Sequence, residues 1–306
     1  MTSRALVRGQ LYAVAAMAIW STNYIAGRML RDSVTPATIA TFRALVASVP
    51  LAAWLVATRG WPRPARPVLG KLIALGFLGI FASQYMTYLA LHWSLATNAI
   101  ILNAASPLVT AGLAVAAGMF TFSPGLIVGL AISVAGAAVV TALGAGTGAE
   151  FQIDPGALLI IASMVTWGFY SLGVQRLSHD LPPLWLTAGP MLAGFPFLLG
   201  ALAVEHPAHL GEAVRSHLPI LLYLALGPSA AAYACWNVAV RDLGAAYAAM
   251  FNNVLPIFGM LLGWLVLHER VTFVQVFAAS LIIAGIVIAY RSFPMTSTAP
   301  RRSRAR

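Results

Sequence analysis

The sequence predicts an all-α, polytopic membrane protein with ten transmembrane helices that form two inverted five-helix repeats. Three observations predict this fold class: the composition, the spacing of the apolar segments and an internal repeat. Of the 306 residues, 60% are hydrophobic and only 8% are charged. Soluble domains have about 25% charged residues, so this chain has more apolar surface than a soluble core could bury. The lipid bilayer is therefore the expected environment.

Apolar segments long enough to cross a membrane recur along the whole chain. A transmembrane helix needs about 20 mainly apolar residues, because the hydrocarbon core of a bilayer is about 30 Å thick. Charges, prolines and glycine-rich joints separate ten such segments. They are residues 10–30, 36–58, 70–91, 95–118, 124–143, 155–176, 184–204, 218–240, 244–267 and 272–291. The joints between them are short, so no soluble catalytic domain is expected.

The net charge of +10 is best explained by membrane topology, because the basic residues lie in short loops and near the chain ends. With the N-terminus inside, thirteen of the 18 basic residues fall in cytoplasmic segments and four fall outside. This bias predicts a multi-pass protein of the inner, or plasma, membrane with both termini cytoplasmic. The basic residues do not alternate with aromatic ones on a polar face, so no nucleic-acid partner is expected.

The chain repeats itself when each residue is compared with the one about 149 positions later. Matching pairs are Asn103 and Asn252, Pro107 and Pro256, and, at an offset of 147, Trp20 and Trp167. Since each unit has five spans, the second unit must enter the membrane in the opposite sense, an arrangement typical of secondary transporters. We therefore divide the chain into a first repeat at 1–149, a second repeat at 150–292 and a basic cytoplasmic tail at 293–306.

Polar and aromatic residues occur at similar depths in four of the predicted spans. Polar side chains are costly in hydrocarbon, so at mid-span they should face a cavity or one another. We predict a central cavity that binds a small amphipathic molecule through ring contacts and a few hydrogen bonds. The alternative is that the aromatic side chains pack between helices or form interfacial belts. The predicted substrate-binding residues are Trp20, Asn23, Gln84, Tyr85, Tyr88, His92, Trp167, Tyr170, Tyr233, Trp236 and Asn237.

A second set of residues is expected to have a gating or structural role. Asn103 and Asn252 each come four residues before a mid-span proline. They could cap backbone groups that Pro107 and Pro256 leave unpaired, or bond to a neighbouring helix. Arg43 lies inside the second span, where it could act as a functional charge, snorkel to the outer surface or form a structural pair.

The sequence offers little for catalysis or metal binding. All eight carboxylates lie outside the span interiors, which disfavours a carboxylate proton relay or a sodium site and leaves His92 as a candidate proton carrier. The loop from Glu205 to His217 holds acidic residues and histidines, yet a solvated loop explains it better than a zinc site. Neither HExxH nor GxSxG occurs, which disfavours an intramembrane enzyme. We expect no cofactor.

Several short motifs, taken together with the paired five-helix units, resemble a known family. They are Trp20-Ser21-Thr22, Phe42-Arg43-Ala44, Pro107-Leu108, and Leu255-Pro256 followed by His268-Glu269-Arg270. These residues resemble the drug/metabolite transporter superfamily, EamA type. In the first repeat, Phe120 occupies the position that corresponds to Glu269. The sequence therefore lacks the second glutamate that a paired role of the two acids would need. Trp20-Ser21-Thr22 with Ala232-Tyr233-Ala234-Cys235-Trp236-Asn237-Val238 is similar to the YddG branch of aromatic amino acid exporters.

The resemblance implies a secondary transporter that exports small metabolites from the cytoplasm by alternating access. Aromatic or other hydrophobic amino acids are the expected substrates. The alternatives are a multidrug or other metabolite exporter of the same superfamily and, from a different class, a channel. The expected partners are a small-molecule substrate and the lipid bilayer, and the sequence leaves the oligomeric state open, with a monomer as one possibility.

Overall fold

Helices form the fold wherever the chain is described. The computed structural model describes residues 3–30, 32–59, 65–93, 102–103, 105–119, 121, 123–144, 155–267 and 272–292. The α-helices are α1 (Ser3–Leu30), α2 (Pro36–Arg59), α3 (Arg66–Leu75), α4 (Ser83–Trp93), α5 (Ser106–Ala116), α6 (Pro124–Gly144), α7 (Pro155–Leu177), α8 (Pro183–Glu205), α9 (Leu210–Ser216), α10 (Leu218–Leu224), α11 (Ala232–Leu243), α12 (Ala245–Met250), α13 (Leu255–Leu267) and α14 (Phe273–Arg291).

Short segments of other helix types join some of these helices into longer rods. A π-helix at Gly76–Ala82 connects α3 to α4, and a second π-helix at Ala225–Ala231 connects α10 to α11. A 3-10 turn at Phe251–Val254 connects α12 to α13. No strand occurs within the described ranges, so the all-α class is confirmed.

Six helical segments are long and apolar enough to cross a membrane. They are Pro36–Thr58, Arg66–Leu91, Pro155–Leu177, Pro183–Glu205, Leu218–Leu243 and Ala245–Leu262. Three shorter apolar helices are Ser106–Ala116, Pro124–Val139 and Phe273–Ala289. Each of the nine overlaps one predicted span, and α1 overlaps the remaining one. A protein with several membrane-spanning helices is therefore confirmed, while the count of ten and the two-repeat arrangement stay predictions.

Proline marks where many of the helices begin. Its missing N–H costs nothing in a first turn, where no intrahelical acceptor is available. Pro107 and Pro256 lie in the first turns of α5 and α13, and a 3-10 turn precedes the second of them. Both prolines therefore begin new helices and do not interrupt continuous ones. Four more prolines are first residues of their helices: Pro36, Pro124, Pro155 and Pro183.

The two π-helices lie at matching positions of the predicted internal repeat. Each has seven residues, and both of their ends are 149 positions apart. A π-helix widens the helical turn, which disturbs the regular hydrogen-bond pattern of the neighbouring carbonyls. In both segments the carbonyl of the middle residue accepts a hydrogen bond from an aromatic side chain of the other half. Tyr233 donates to Gly79 at 2.8 Å, and Trp20 Nε1 donates to Pro228 at 2.9 Å.

Helices α6 and α14 pack closely in an antiparallel pair that also follows the repeat. A side chain on Gly136 would lie 2.7 Å from the carbonyl oxygen of Ala278. A side chain on Gly285 would collide with the carbonyl oxygen of Gly129. Residues 129 and 278 are equivalent at an offset of 149, as are 136 and 285, so each contact maps onto the other. Reciprocal contacts of this kind arise when two similar units pack about a two-fold axis.

One end of the helix bundle is tied together by charged and polar contacts. At the start of α1, Arg8 Nε donates to Asp242 Oδ2 at 2.7 Å, and Gln10 Nε2 donates to the Tyr247 hydroxyl at 3.0 Å. Asp242 also accepts a hydrogen bond from Arg241 at 2.8 Å. These contacts hold α1 against the ends of α11 and α12.

Candidate functional site

A cavity with about 100 Å³ of space for water-sized molecules lies between the two halves of the chain. It is formed by α1, α2, α4, α5 and α7 together with the 3-10 turn and the start of α13. Nine of its fourteen lining residues are polar, which makes it a site for a solute with polar groups in an otherwise apolar bundle. The lining residues are Trp20, Asn23, Arg43, Ser83, Gln84, Thr87, Asn103, Ser106, Ile160, Ser163, Met164, Trp167, Asn252 and Leu255.

A much smaller space of about 10 Å³, enough for roughly one water molecule, adjoins the first one. Arg43 and Gln84 line both cavities. The other lining residues of the smaller cavity are Ala40, Ala44, Ile80, Met191, Ser229 and Tyr233. Arg43 and Gln84 therefore lie between the large cavity and a space that holds about one water molecule.

Two tryptophans form the aromatic wall of the large cavity. Trp20 of α1 and Trp167 of α7 are equivalent residues of the repeat, and their ring centroids are 5.4 Å apart in an edge-to-face contact. Tyr170, Tyr233 and Trp236 pack behind them with centroid distances of 5.1 to 5.7 Å from one or both tryptophans. Edge-to-face and stacked contacts of this kind are the favoured arrangements of aromatic rings, so the five rings stabilise one another.

A tyrosine–asparagine hydrogen bond occurs twice near the wall. The Tyr88 hydroxyl donates to Asn23 Oδ1 at 3.0 Å, and the Tyr170 hydroxyl donates to Asn237 Oδ1 at 3.1 Å. At offsets of 149 and 147, Tyr88 is equivalent to Asn237 and Asn23 to Tyr170. The two bonds are therefore equivalent, with the donor and acceptor on exchanged helices.

The second of these bonds lies in a fully packed region. Tyr170, Trp236 and Asn237 are all 0% exposed. Asn237 Nδ2 donates to the Leu186 carbonyl at 3.0 Å and to Thr187 Oγ1 at 2.9 Å. Because the polar groups of Asn237 are bonded within the protein, it acts here as a structural link and does not line the cavity. Trp236 and Tyr170 support the wall in the same way from behind.

Arg43 projects from α2 into the centre of the site. The residue is 3% exposed, and its Nε donates to Ser229 Oγ at 2.9 Å. The guanidinium carbon lies 5.3 Å from the centroid of the Tyr88 ring, which is a cation–π distance. The idea that Arg43 snorkels to the outer surface is therefore wrong, because its charged end is buried among helices.

Asn252 bonds across the two halves. Its Nδ2 donates to Ser106 Oγ at 3.2 Å, which links the 3-10 turn to the start of α5. Of the two roles considered for the asparagines, the structure favours a bond to a neighbouring helix for Asn252 over capping of groups near Pro256. Asn103 lines the cavity beside it.

The structure brings only some of the predicted binding residues together. Those that line the large cavity are Trp20, Asn23, Gln84 and Trp167, joined by Arg43, Asn103 and Asn252 from the gating set. Tyr233 lines the small cavity, and Tyr88 is buried next to Asn23. Tyr85 instead stacks on Phe81 with centroids 5.8 Å apart. The side chain of His92 lies outside the described residues, so its role stays a prediction.

Sequence reasoning missed several small polar residues of the lining. Ser83 and Thr87 lie one turn apart on α4, on either side of Gln84 in the sequence, and Ser163 lies one turn before Trp167 on α7. Helical spacing from the predicted residues would have identified these positions. Ser106, Met164 and Leu255 also lie three residues from a predicted residue, whereas Ile160 had no such signal because aliphatic residues are common throughout membrane helices.

Metal-ligating groups are not clustered in the described part of the chain, where no set of three histidine, cysteine, aspartate or glutamate residues could hold an ion. Glu205, from the loop considered as a zinc site, instead accepts a hydrogen bond from the Ala37 backbone N–H at 3.0 Å. This contact ties the end of α8 to the start of α2.

A bundle of membrane helices around a polar cavity defines the class of membrane transport proteins that bind a solute between helices. The chain belongs to the EamA-like transporter family, whose profile matches it twice, at residues 7–142 and 154–291. It is thus a multi-pass membrane transporter. The class and family expected from the motifs are confirmed, and a lipid environment and a small-molecule substrate follow from the family.

Several relatives of known name are similar to the chain over most of their length. A probable amino-acid metabolite efflux pump of Salmonella typhimurium is 23% identical over 94% of this chain and 96% of its own. A probable terminal-alkyne amino-acid exporter of Streptantibioticus cattleyicolor is 26% identical over 91% and 92%. The uncharacterized inner membrane transporter YedA of Escherichia coli is 25% identical over 92% and 89%.

One solved crystal structure shares the fold. It superposes with a TM-score of 0.77 at 22% identity and covers 94% of this chain and 97% of its own. At this identity the likeness describes the fold alone.

Proposed function

We propose that this transporter exports small metabolites from the cytoplasm by alternating access, with aromatic or other hydrophobic amino acids as its main substrates. The observation that carries the proposal is the cavity between the two halves, which combines polar groups with the Trp20 and Trp167 rings. An amino acid with an apolar side chain needs both kinds of contact, because its amino and carboxylate groups are charged and its side chain is apolar.

Three matches support the internal repeat, and the last of them also supports the inversion that alternating access requires. The two family matches begin 147 residues apart and end 149 residues apart, the same offsets that the sequence predicts. The π-helices are 149 residues apart. The contacts between α6 and α14 are reciprocal under the same offset. In inverted-repeat transporters the substrate site lies at the interface between the repeats, and residues of both halves line this cavity.

Two contacts between distant segments support the predicted topology. Arg8 bonds to Asp242, and Ala37 bonds to Glu205. Segments in contact near the ends of the bundle lie on the same membrane face, so an even number of spans must separate them. The predicted spans provide eight between the first pair and six between the second.

The cavity lies toward the outer face if both termini are cytoplasmic. In that topology α1 and α4 run outward, and the lining residues Asn23 and Thr87 lie in their outer halves. The ion pair of Arg8 and Asp242 is then at the inner end and closes the bundle toward the cytoplasm. We therefore assign this structure to an outward-facing state of the transport cycle.

The proposal extends to amino acids because two kinds of observation agree. Two relatives carry names that refer to amino-acid export or amino-acid metabolite efflux. Nine of the fourteen lining residues are polar, and the rest of the lining is apolar surface that includes two tryptophan rings; this combination suits an amino acid with an apolar side chain.

Counterflow in proteoliposomes tests the proposal. Vesicles with the purified protein and unlabelled L-phenylalanine inside should accumulate labelled L-phenylalanine from outside, whereas empty vesicles should not. Trp20→Phe should slow this uptake severalfold, and Trp54→Phe should not, because Trp54 is 59% exposed on the outside of α2. No uptake of any aromatic or branched amino acid by folded, inserted protein would overturn the substrate class.

A further inference from the structure

Arg43 is a buried positive charge that no carboxylate neutralises in the described part of the chain. The recorded ion pairs there join Arg8 and Arg241 to Asp242, and none involves Arg43. A charged side chain inside a membrane protein is costly unless a partner or water compensates it. Ser229, which accepts a hydrogen bond from Arg43, and the Tyr88 ring, which lies 5.3 Å from the guanidinium carbon, carry no negative charge.

The guanidinium of Arg43 also has unused hydrogen-bonding capacity. It carries five N–H donors in a planar fork that matches a carboxylate. Its Nε bonds to Ser229, but Nη1 is buried and has no hydrogen-bond partner. A buried donor without a partner costs free energy, so Nη1 is a donor that a ligand in the cavity can use.

The charges that line the cavities indicate which kind of ligand group Arg43 would bind. Among the described lining residues of both cavities, Arg43 carries the only formal charge. The site is therefore positive and favours an anionic group over an amine. Rings of Trp20 and Trp167 lie on the same cavity and could hold the apolar part of the same molecule.

We propose that Arg43 binds the carboxylate of the transported molecule through charge-assisted hydrogen bonds. The proposal rests on the amino-acid export function above and names the group by which the substrate is recognised. Arginine is suited to this task because its charge persists at any physiological pH and its fork gives paired N–H···O contacts. Arg43 is thus a specificity-determining residue of this transporter.

The repeat offers no second site of the same kind. The residue 147 positions after Arg43 is Pro190, which is buried in α8 and carries no donor. The carboxylate therefore has one partner in the first half, while the other half contributes the Trp167 ring and small polar groups. One such arginine fits the binding of one substrate molecule per cycle.

The experiment compares probes that differ in one charged group. Binding of 3-phenylpropanoate, its neutral amide 3-phenylpropanamide, and phenethylamine to the detergent-purified full chain is measured by isothermal titration calorimetry. The proposal expects the wild type to bind the acid roughly tenfold or more tightly than the amide. Equal binding of acid and amide would overturn it without the need for any variant.

Variants of Arg43 provide a second test of the proposal. Arg43→Gln should weaken binding of the acid by roughly tenfold to a hundredfold and leave the amide within about twofold. Arg43→Lys should keep a preference for the acid at lower affinity, because the charge remains and the fork is lost. Unchanged acid binding in folded Arg43→Gln protein would contradict the proposal. Arg43→Lys and the wild-type comparison decide the question if Arg43→Gln fails to fold.

The two proposals fail in different ways. If L-phenylalanine is not carried in counterflow but the acid still binds through Arg43, the amino-acid function falls and the carboxylate site stands. If L-phenylalanine is carried equally by the wild type and Arg43→Gln, the carboxylate site falls and the transport function stands. Loss of phenylalanine counterflow in Arg43→Gln, with binding of the amide retained, supports both.

Discussion

The two halves of the molecule contain the same tyrosine–asparagine hydrogen bond in different surroundings. In the first half, the bond from Tyr88 to Asn23 lies beside the large cavity, and Asn23 lines it. In the second half, the bond from Tyr170 to Asn237 lies in a core with no exposed surface. The same hydrogen bond therefore forms both beside a cavity and in a fully buried core. We call the first half, whose bond lies beside the cavity, the open half, and the second half, whose bond is buried, the closed half.

The closed half is packed by contacts that the open half lacks. The Tyr170 ring lies directly against Gly79, whose missing side chain leaves room for it. Asn237 makes two further hydrogen bonds to α8. Around Tyr88 the contacts are looser, since a side chain on Gly27 would lie 3.6 Å from its ring, an ordinary contact distance. In alternating access the two halves would exchange these arrangements.

The largest expected effect comes from filling the space at Gly79. A methyl group there would lie 2.5 Å from Cγ of Tyr170, so Gly79→Ala must displace the ring and should destabilise the protein by about 1–3 kcal/mol. Thermal unfolding in detergent micelles measures the loss. Gly112→Ala is the matched control, because nothing lies within 4 Å of that position. Equal unfolding temperatures of the two variants would show that the closed half is not tightly packed.

The next largest effect separates the two hydrogen bonds. Tyr170→Phe leaves Asn237 Oδ1 buried without its donor and should cost about 1–2 kcal/mol. Tyr88→Phe should cost less than about 0.5 kcal/mol, because water in the cavity can replace the hydroxyl at Asn23. The same unfolding assay compares them. A larger loss of unfolding free energy for Tyr88→Phe than for Tyr170→Phe would contradict this account, because it would show that the bond beside the cavity is the more tightly packed one.

The smallest expected effect concerns the inner end of the bundle. Asp242→Asn removes the charge partner of Arg8, which is partly exposed, so the change should be worth at most about 1 kcal/mol. It should shift the population toward inward-facing molecules and speed amide hydrogen exchange in α12 (Ala245–Met250), as read by mass spectrometry. Exchange at the outer end of α8 serves as the internal control. Unaltered exchange in α12 would mean that this ion pair does not hold the inner end closed.

The helical membrane fold could be predicted because hydrocarbon imposes one simple rule on the sequence. A long apolar segment must satisfy its own backbone hydrogen bonds, so the segments near 36–58 and 183–205 were visible from composition alone. The π-helices could not be predicted. Their sequences look like ordinary helix, and the bonds that Gly79 and Pro228 accept come from residues more than 150 positions away.

The site could be predicted only in part, because a polar residue in hydrocarbon can satisfy itself in two ways. Trp20 and Trp167 line the cavity as expected. Asn237 follows the same pattern in the sequence, yet its partners Leu186 and Thr187 on another helix satisfy it fully. Arg43 had three open roles, and only its burial beside Ser229 decided among them.

The opposite insertion of the two halves is the central claim, and cysteine labelling in cells tests it most directly. Ser33 and Asp180 are both exposed and are equivalent residues at an offset of 147. In a Cys235→Ser background, a membrane-impermeant thiol reagent should label Ser33→Cys in intact cells and Asp180→Cys only after permeabilisation. Labelling of both positions from the same face would contradict the inverted repeat and the alternating-access mechanism built on it.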